Sequence, residues 1–228
     1  DYQRFQRTMF NLKCPLVFRS LKLQRFIVWP MIFARNLRYN RKNTWLKTVN
    51  RSISFVDSTP LRVCRNQRIL IHKTFEGLAE CGKCSMGWFF GFKLRLIIND
   101  KGEILNFMFT PGNVDDREPL KQGKFLENIK GKLCADKGYI GQALFENLFL
   151  DGIQLVTKVK DNMKNSLMSI ADKILLRKRV LIETINDELK SIAQIEHSRH
   201  RSFNNFIANS LSAIAQHTAF LKRSPPLT

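Results

Sequence analysis

Three acids in this sequence stand where a carboxylate could do chemistry. Asp57 follows Ile53-Ser54-Phe55-Val56, a short run that reads as a strand. Asp136 follows Leu133-Cys134-Ala135 and precedes Lys137-Gly138-Tyr139. Sites in α/β proteins lie at the carboxyl ends of strands, so two strand-end aspartates are expected to face one another. Glu183 belongs to a helical stretch. At about 100° per residue, Arg179, Glu183, Asn186 and Lys190 share one stripe of that helix. Ile182, Ile185, Leu189 and Ile192 form an adjacent apolar stripe that can pack on a sheet. Three hard oxygen donors around a cleft suit Mg²⁺ or Mn²⁺. Two such ions, about 4 Å apart, would clamp the attacking and leaving oxygens of a phosphoryl displacement. Arg179 and Lys190 are suited to phosphate contacts. Each acid alone has a plainer reading: a strand-end Asp caps a turn, and a helical Glu between cations forms a surface pair.

The elements that must position these acids follow from the sequence pattern. Ile53–Val63 reads as a strand with a turn at Thr59-Pro60. Trp88–Asn99 is a long β-rich run, and Asp100-Lys101-Gly102-Glu103 is a hairpin turn leading to the return strand Ile104–Thr110. Glu118–Ile129 is predicted helical, Lys132–Ala135 a short strand, Gln142–Leu150 a helix and Gln154–Val159 a strand. Ser166–Lys190 and Ser202–Phe220 are predicted mostly helical. The order of elements predicts an α/β layer fold without internal repeats.

Composition narrows the partners. The 228 residues contain 38 Lys and Arg against 19 Asp and Glu, a net charge of +19. So basic a chain favours a polyanionic partner, nucleic acid before an anionic membrane surface. Apolar residues at 44% are ordinary for a globular protein. Five cysteines are too few for a disulfide scaffold and suit a reducing compartment. The longest apolar run, Met86 to Phe92, falls far short of the roughly 20 residues that span a bilayer. The start lacks the order of a signal peptide. It is Asp1 and not Met, so the sequence is expected to be a piece of a longer chain. Residues 1–52 carry a net +11 and no clear periodicity. They read either as a DNA-binding arm with stacking aromatics or as poorly organised, even out-of-frame, sequence.

From about Ile53 to Ala215 the sequence resembles the DDE transposases of bacterial insertion sequences, most of all the insertion-sequence-982 type. The resemblance rests on Phe55-Val56-Asp57-Ser58-Thr59, Gly91-Phe92-Lys93-Leu94, Thr110 to Asp116, Ala135-Asp136-Lys137-Gly138-Tyr139 and Arg179 to Glu183. The family's last motif is Tyr, two residues, Arg, three residues, Glu, six residues, Lys. Arg179, Glu183 and Lys190 match it, and Leu176 stands at the Tyr position. The resemblance implies a ribonuclease-H-like mixed sheet flanked by helices, with Asp57, Asp136 and Glu183 as the catalytic and metal-binding triad. It implies cleavage of transposon ends with Mg²⁺ or Mn²⁺, two ions, and strand transfer by direct transesterification. The implied partners are terminal inverted repeats and target DNA, bound as a homodimer, with no membrane. The implied place is the bacterial cytoplasm, at the nucleoid. Residues 1–52 and 216–228 depart from the family pattern, so the expectation is a truncated or degenerate copy whose domain covers 53–215. The alternatives are an inactive remnant that binds DNA non-specifically and a nuclease without strand transfer.

Other groups have weaker claims. Asp115 and Asp116 could bind a metal or nucleotide, but read better as a helix start with Glu118 in its first turn. Cys81-Gly82-Lys83-Cys84 is a lone pair without two further zinc ligands at suitable spacing. His197 and Arg199, in a basic cluster with His200 and Arg201, are candidate phosphate contacts. His72 and Lys73 follow Leu70-Ile71, a run that reads as strand-like, and could lie near the cleft.

Overall fold

The computed structural model describes residues 53–158, 168–196 and 200–223. Among these residues, six strands form one mixed sheet: β1 (Ile53–Cys64), β2 (Glu80–Cys84), β3 (Gly87–Asn99), β4 (Ile104–Pro111), β5 (Gly131–Ala135) and β6 (Ile153–Thr157). β1, β3 and β4 pair antiparallel, while β5 and then β6 add in parallel on the other edge of β1. This is the expected ribonuclease-H-like fold.

β3 is the spine of the sheet. Phe89–Phe92 and Leu94–Ile98 are all buried, the near-continuous apolar pattern of a strand covered on both faces. β2 and β4 lie end to end along one of its edges, β2 against Gly87–Gly91 and β4 against Phe92–Ile98. Where the two abut, a Cβ on Gly82 would overlap the Gly112 carbonyl. The hairpin between β3 and β4 forms as expected. Asn99 Oδ1 accepts from the backbone N–H groups of Lys101 and Glu103 at 3.0 and 2.9 Å, and Gly102 takes φ +83°.

Among the described residues, five α-helices flank the sheet: α1 (Glu118–Lys121), α2 (Gln142–Leu150), α3 (Ile170–Lys178), α4 (Val180–Ser191) and α5 (Phe203–Arg223). One core joins Val56, Ile97 and Leu133 to Leu120, Phe125, Leu144 and Leu148. Elsewhere α4 packs on β1 through buried Ile182, Ile185 and Leu189. An aromatic cluster then fastens α5. Phe206 stacks on Phe92 with ring centroids 5.0 Å apart and meets Phe75 edge-on at 5.6 Å. His72 joins this cluster by stacking on Phe75. His217, near the far end of α5, lies 3.3 Å from Glu188 of α4. Among the described residues, no helix is long and apolar enough to cross a membrane.

Four expectations are corrected. There is no turn at Thr59-Pro60, because β1 runs on to Cys64. β5 pairs only with Ile53–Phe55, so Pro60 sits where one edge of β1 is open and its missing N–H is tolerated. The helix expected over 118–129 stops at Lys121; Gly123 follows, and Asn128 takes φ +68°. Leu70 and Ile71 are exposed in a 3₁₀ turn, Asn66–Ile71, rather than a strand. Ile192 lies beyond the end of α4 and is exposed.

Candidate active site

The sheet register brings two of the three acids together. In the parallel pair, Ile53 faces Lys132, Ser54 faces Leu133 and Phe55 faces Cys134. Two residues further along the same register stand Asp57 and Asp136. Asp57 is therefore inside β1, not at its end, but it lies where the ladder with β5 has stopped. That break frees both side chains to meet a third element.

The third element is the junction of α3 and α4. Arg179 is the residue between the two helices, and Glu183 follows in the first turn of α4. Arg179 is buried, and its guanidinium touches all three acids. Nη2 lies 3.2 Å from Asp57 Oδ1 and 3.1 Å from Glu183 Oε1. Nη1 lies 3.0 Å from Asp136 Oδ1. The Arg179–Glu183 contact is the i,i+4 pair that the plainer reading of the helix offered. The other two contacts reach across the fold and could not be read from spacing.

Asn186, one turn further along α4, is the residue whose role the sequence did not reveal. Its Nδ2 donates to Asp57 Oδ2 at 3.0 Å. It was visible on the stripe with Glu183, but its partner was not. Asp57 thus has both oxygens engaged. Burial raises its pKa from 3.8 to about 6, against the opposing pull of Arg179, and the neighbouring charges of Glu183 and Asp136 push the same way as burial. Asp136 and Glu183 are half exposed. The site is one largely enclosed carboxylate beside two half-exposed ones.

Tyr139, of the Asp136-Lys137-Gly138-Tyr139 segment, is buried, and its hydroxyl has no hydrogen-bond partner among the described residues. Burial, then the charges of Asp116 and Asp57, hold that hydroxyl neutral. Asp116 itself pairs with Lys93 at 3.1 Å and with buried Arg95 at 3.5 Å. Arg95 also donates to Thr110 Oγ1 and to the carbonyls of Val114 and Asp115, so it braces the loop after β4. Asp115 accepts from the backbone and side chain of Arg117. The Asp115-Asp116 pair is therefore engaged with cations, and Asp115 does not cap α1, whose N-terminal residue makes no side-chain cap bond.

The structure does not gather the remaining candidates here. Lys190 lies 3.6 Å from Glu196, which also accepts from the backbone N–H of Arg62. His197 and Arg199 lie outside the described residues, as does the basic segment 1–52. Cys81 and Cys84 are free thiols on β2. Leu176, at the Tyr position of the motif, is buried in α3 and lines a cavity of about 510 Å³. Arg179, Glu183, Lys158, Lys173 and Arg177 also line it, so the Arg179–Glu183 side of the cluster opens onto a basic hollow.

The donor chemistry suits a hard divalent cation. Three carboxylates from three elements converge on one positive group, and if all are ionised they leave a local charge of −2. Among the described residues, no group of three or more His, Cys, Asp or Glu forms a ready cage for an ion. Each acid faces the guanidinium instead.

One aspartate in a strand, a second just past the end of the neighbouring strand and a glutamate on a helix thus meet beside a ribonuclease-H-like sheet. The chain belongs to the transposase DDE domain family, which matches residues 47–203, well over half of its length. Among solved structures it is similar to the piggyBac transposase in a synaptic complex with hairpin DNA, seen by cryo-electron microscopy. The identity is 10% and the TM-score 0.53, a likeness of fold alone. The match covers 74% of this chain and 46% of that one, so the chain spans less than half the length of that transposase. No curated protein matches the sequence.

Proposed function

We propose that this domain cuts transposon ends and joins them to target DNA, with Asp57, Asp136 and Glu183 as the catalytic acids. The observation that carries this reading is the convergence of the three carboxylates on a single cation beside a basic hollow. The three acids would hold Mg²⁺ or Mn²⁺, as two ions, which supply charge neutralisation at the phosphate and activation of the attacking oxygen. Asn186 holds Asp57 in position. Lys158, Lys173 and Arg177 draw a DNA phosphate to the mouth of the site. In the first step a water oxygen bonds to phosphorus and the bond to the 3′-oxygen breaks, leaving a 3′-hydroxyl. In the second step that hydroxyl attacks a target phosphodiester, one P–O bond forms and one breaks, and no covalent enzyme intermediate arises.

The finer assignment is to a bacterial insertion-sequence transposase of the 982 type, acting at the nucleoid as a homodimer on its terminal repeats. The Ala135 to Tyr139 segment and the Arg179, Glu183, Lys190 spacing support it. The domain is taken as 53–215, although α5 continues past it to Arg223.

The test is cleavage and joining of DNA bearing the inverted repeats that flank the coding sequence, with and without Mg²⁺. Metal-dependent nicks and joined strands are expected, and Asp136→Ala should abolish both. Full activity in Asp136→Ala would overturn the assignment of the triad. Cleavage without joined strands would mark a nuclease, and salt-sensitive binding with no turnover would mark a remnant.

A further inference from the structure

We infer that Arg179 is a built-in stand-in for the divalent cations: it holds the three carboxylates together before metal arrives and must leave them when metal binds. This rests on the metal-dependent reading above and adds an exchange step to it.

Three observations lead to the exchange. First, the guanidinium occupies the centre of the acid cluster, with contacts of 3.0 to 3.2 Å to one oxygen of each acid. An ion bound by the same oxygens and the guanidinium would compete for the same negative charge in the same space. Second, the pairing is incomplete on the arginine side. Nε of Arg179 is buried and has no hydrogen-bond partner among the described residues, so the resting position leaves one strong donor unsatisfied there. Third, there is somewhere to go. Arg179 also lines the 510 Å³ cavity, whose wall it shares with Lys158, Lys173 and Arg177. The carboxylate in that wall is Glu183, one of the three acids that the metal would engage, so a DNA phosphate in the hollow would be the displaced guanidinium's new partner, and a phosphate takes an arginine fork well.

The consequence is a coupling between metal and DNA. Divalent ions free Arg179, a phosphate in the hollow captures it, and each event favours the other. Without metal the acids are neutralised in part and kept near one another, so the site survives as a folded unit.

Two measurements on the full chain test this. Mn²⁺ binding is measured by calorimetry for the wild type, Arg179→Gln and Arg179→Lys. Removing the competing charge should tighten Mn²⁺ binding by about tenfold in Arg179→Gln, with a smaller gain or none in Arg179→Lys. In the wild type, phenylglyoxal labelling of Arg179, read by mass spectrometry, should be slow without metal and several-fold faster with Mn²⁺. Wild-type Mn²⁺ binding with unchanged or slower labelling of Arg179 overturns the exchange and leaves the metal-dependent reading standing, as does unchanged or weaker affinity in a folded Arg179→Gln. No Mn²⁺ binding by any of the three proteins overturns both. The labelling arm needs no variant, so a poorly folded Arg179→Gln does not remove the test.

Discussion

Asn186 Nδ2 donates to Asp57 Oδ2 at 3.0 Å, tying α4 to β1 across 129 residues of chain. A neutral amide suits this place, because Asp57 already has two acids for neighbours. Asn186→Asp would put a further carboxylate, itself buried, against Asp57. At neutral pH and without divalent ions we expect it to destabilise the domain by about 1–3 kcal/mol. Urea unfolding measures this. A variant as stable as the wild type would show that the amide does not support Asp57.

Asp57 should give the protein a distinctive pH profile. Its folded pKa of about 6 lies above the unfolded 3.8, so the folded state holds the proton more tightly. The stability linked to that proton is present below about pH 4 and is lost as pH rises through 6. Asp57→Asn lacks this loss. Its stability relative to wild type should therefore rise between pH 4 and pH 6, by up to about 3 kcal/mol at 1.4 kcal/mol per pKa unit. Denaturant titrations across that range, in the absence of divalent ions, provide the check. A difference that stays flat with pH contradicts the raised pKa of Asp57.

Phe206 is the pin of α5. It is buried, stacks on Phe92 and meets Phe75, Phe109 and His200. Phe206→Ala is expected to cost about 3–5 kcal/mol, as for other buried aromatic truncations. Limited proteolysis should then cut the carboxyl-terminal part first. Unchanged protection of α5 would show that another contact holds it.

The hollow beside the triad makes a prediction about salt. If Lys173 and Arg177 each meet a phosphate, replacing both by Gln removes two counterion-releasing contacts. The slope of log K for DNA binding against log salt should shrink by about 2, at roughly 0.9 per contact. Fluorescence anisotropy at several salt concentrations measures it. An unchanged slope would place the DNA elsewhere.

Much of the sheet was legible because its signals are local. The alternation of Lys93–Ile97 and the Asp100 to Glu103 turn specify a hairpin by themselves. The helix expected over 118–129 failed for an equally local reason: it stops at Lys121, just before Gly123. Leu70 and Ile71 misled because an apolar pair is silent about burial, and both are exposed. The three acids were legible by type and position. Their cation was not: Arg179 read as a phosphate contact because its pairing with Asp57 and Asp136 depends on a sheet register and a helix junction far apart in sequence. Asn186 was missed for the same reason.

The distance along the chain between Asp57 and Arg179 also sets a clock. The two are 122 residues apart, and α4 must follow β1, β5 and everything between before the cluster can close. At about 5–20 residues per second, a ribosome takes roughly 6–24 s to span that interval. For that time the nascent protein carries the first acid without the residues that complete its site. A site assembled this way stays incomplete, and so inert, until Arg179 and Glu183 have been made.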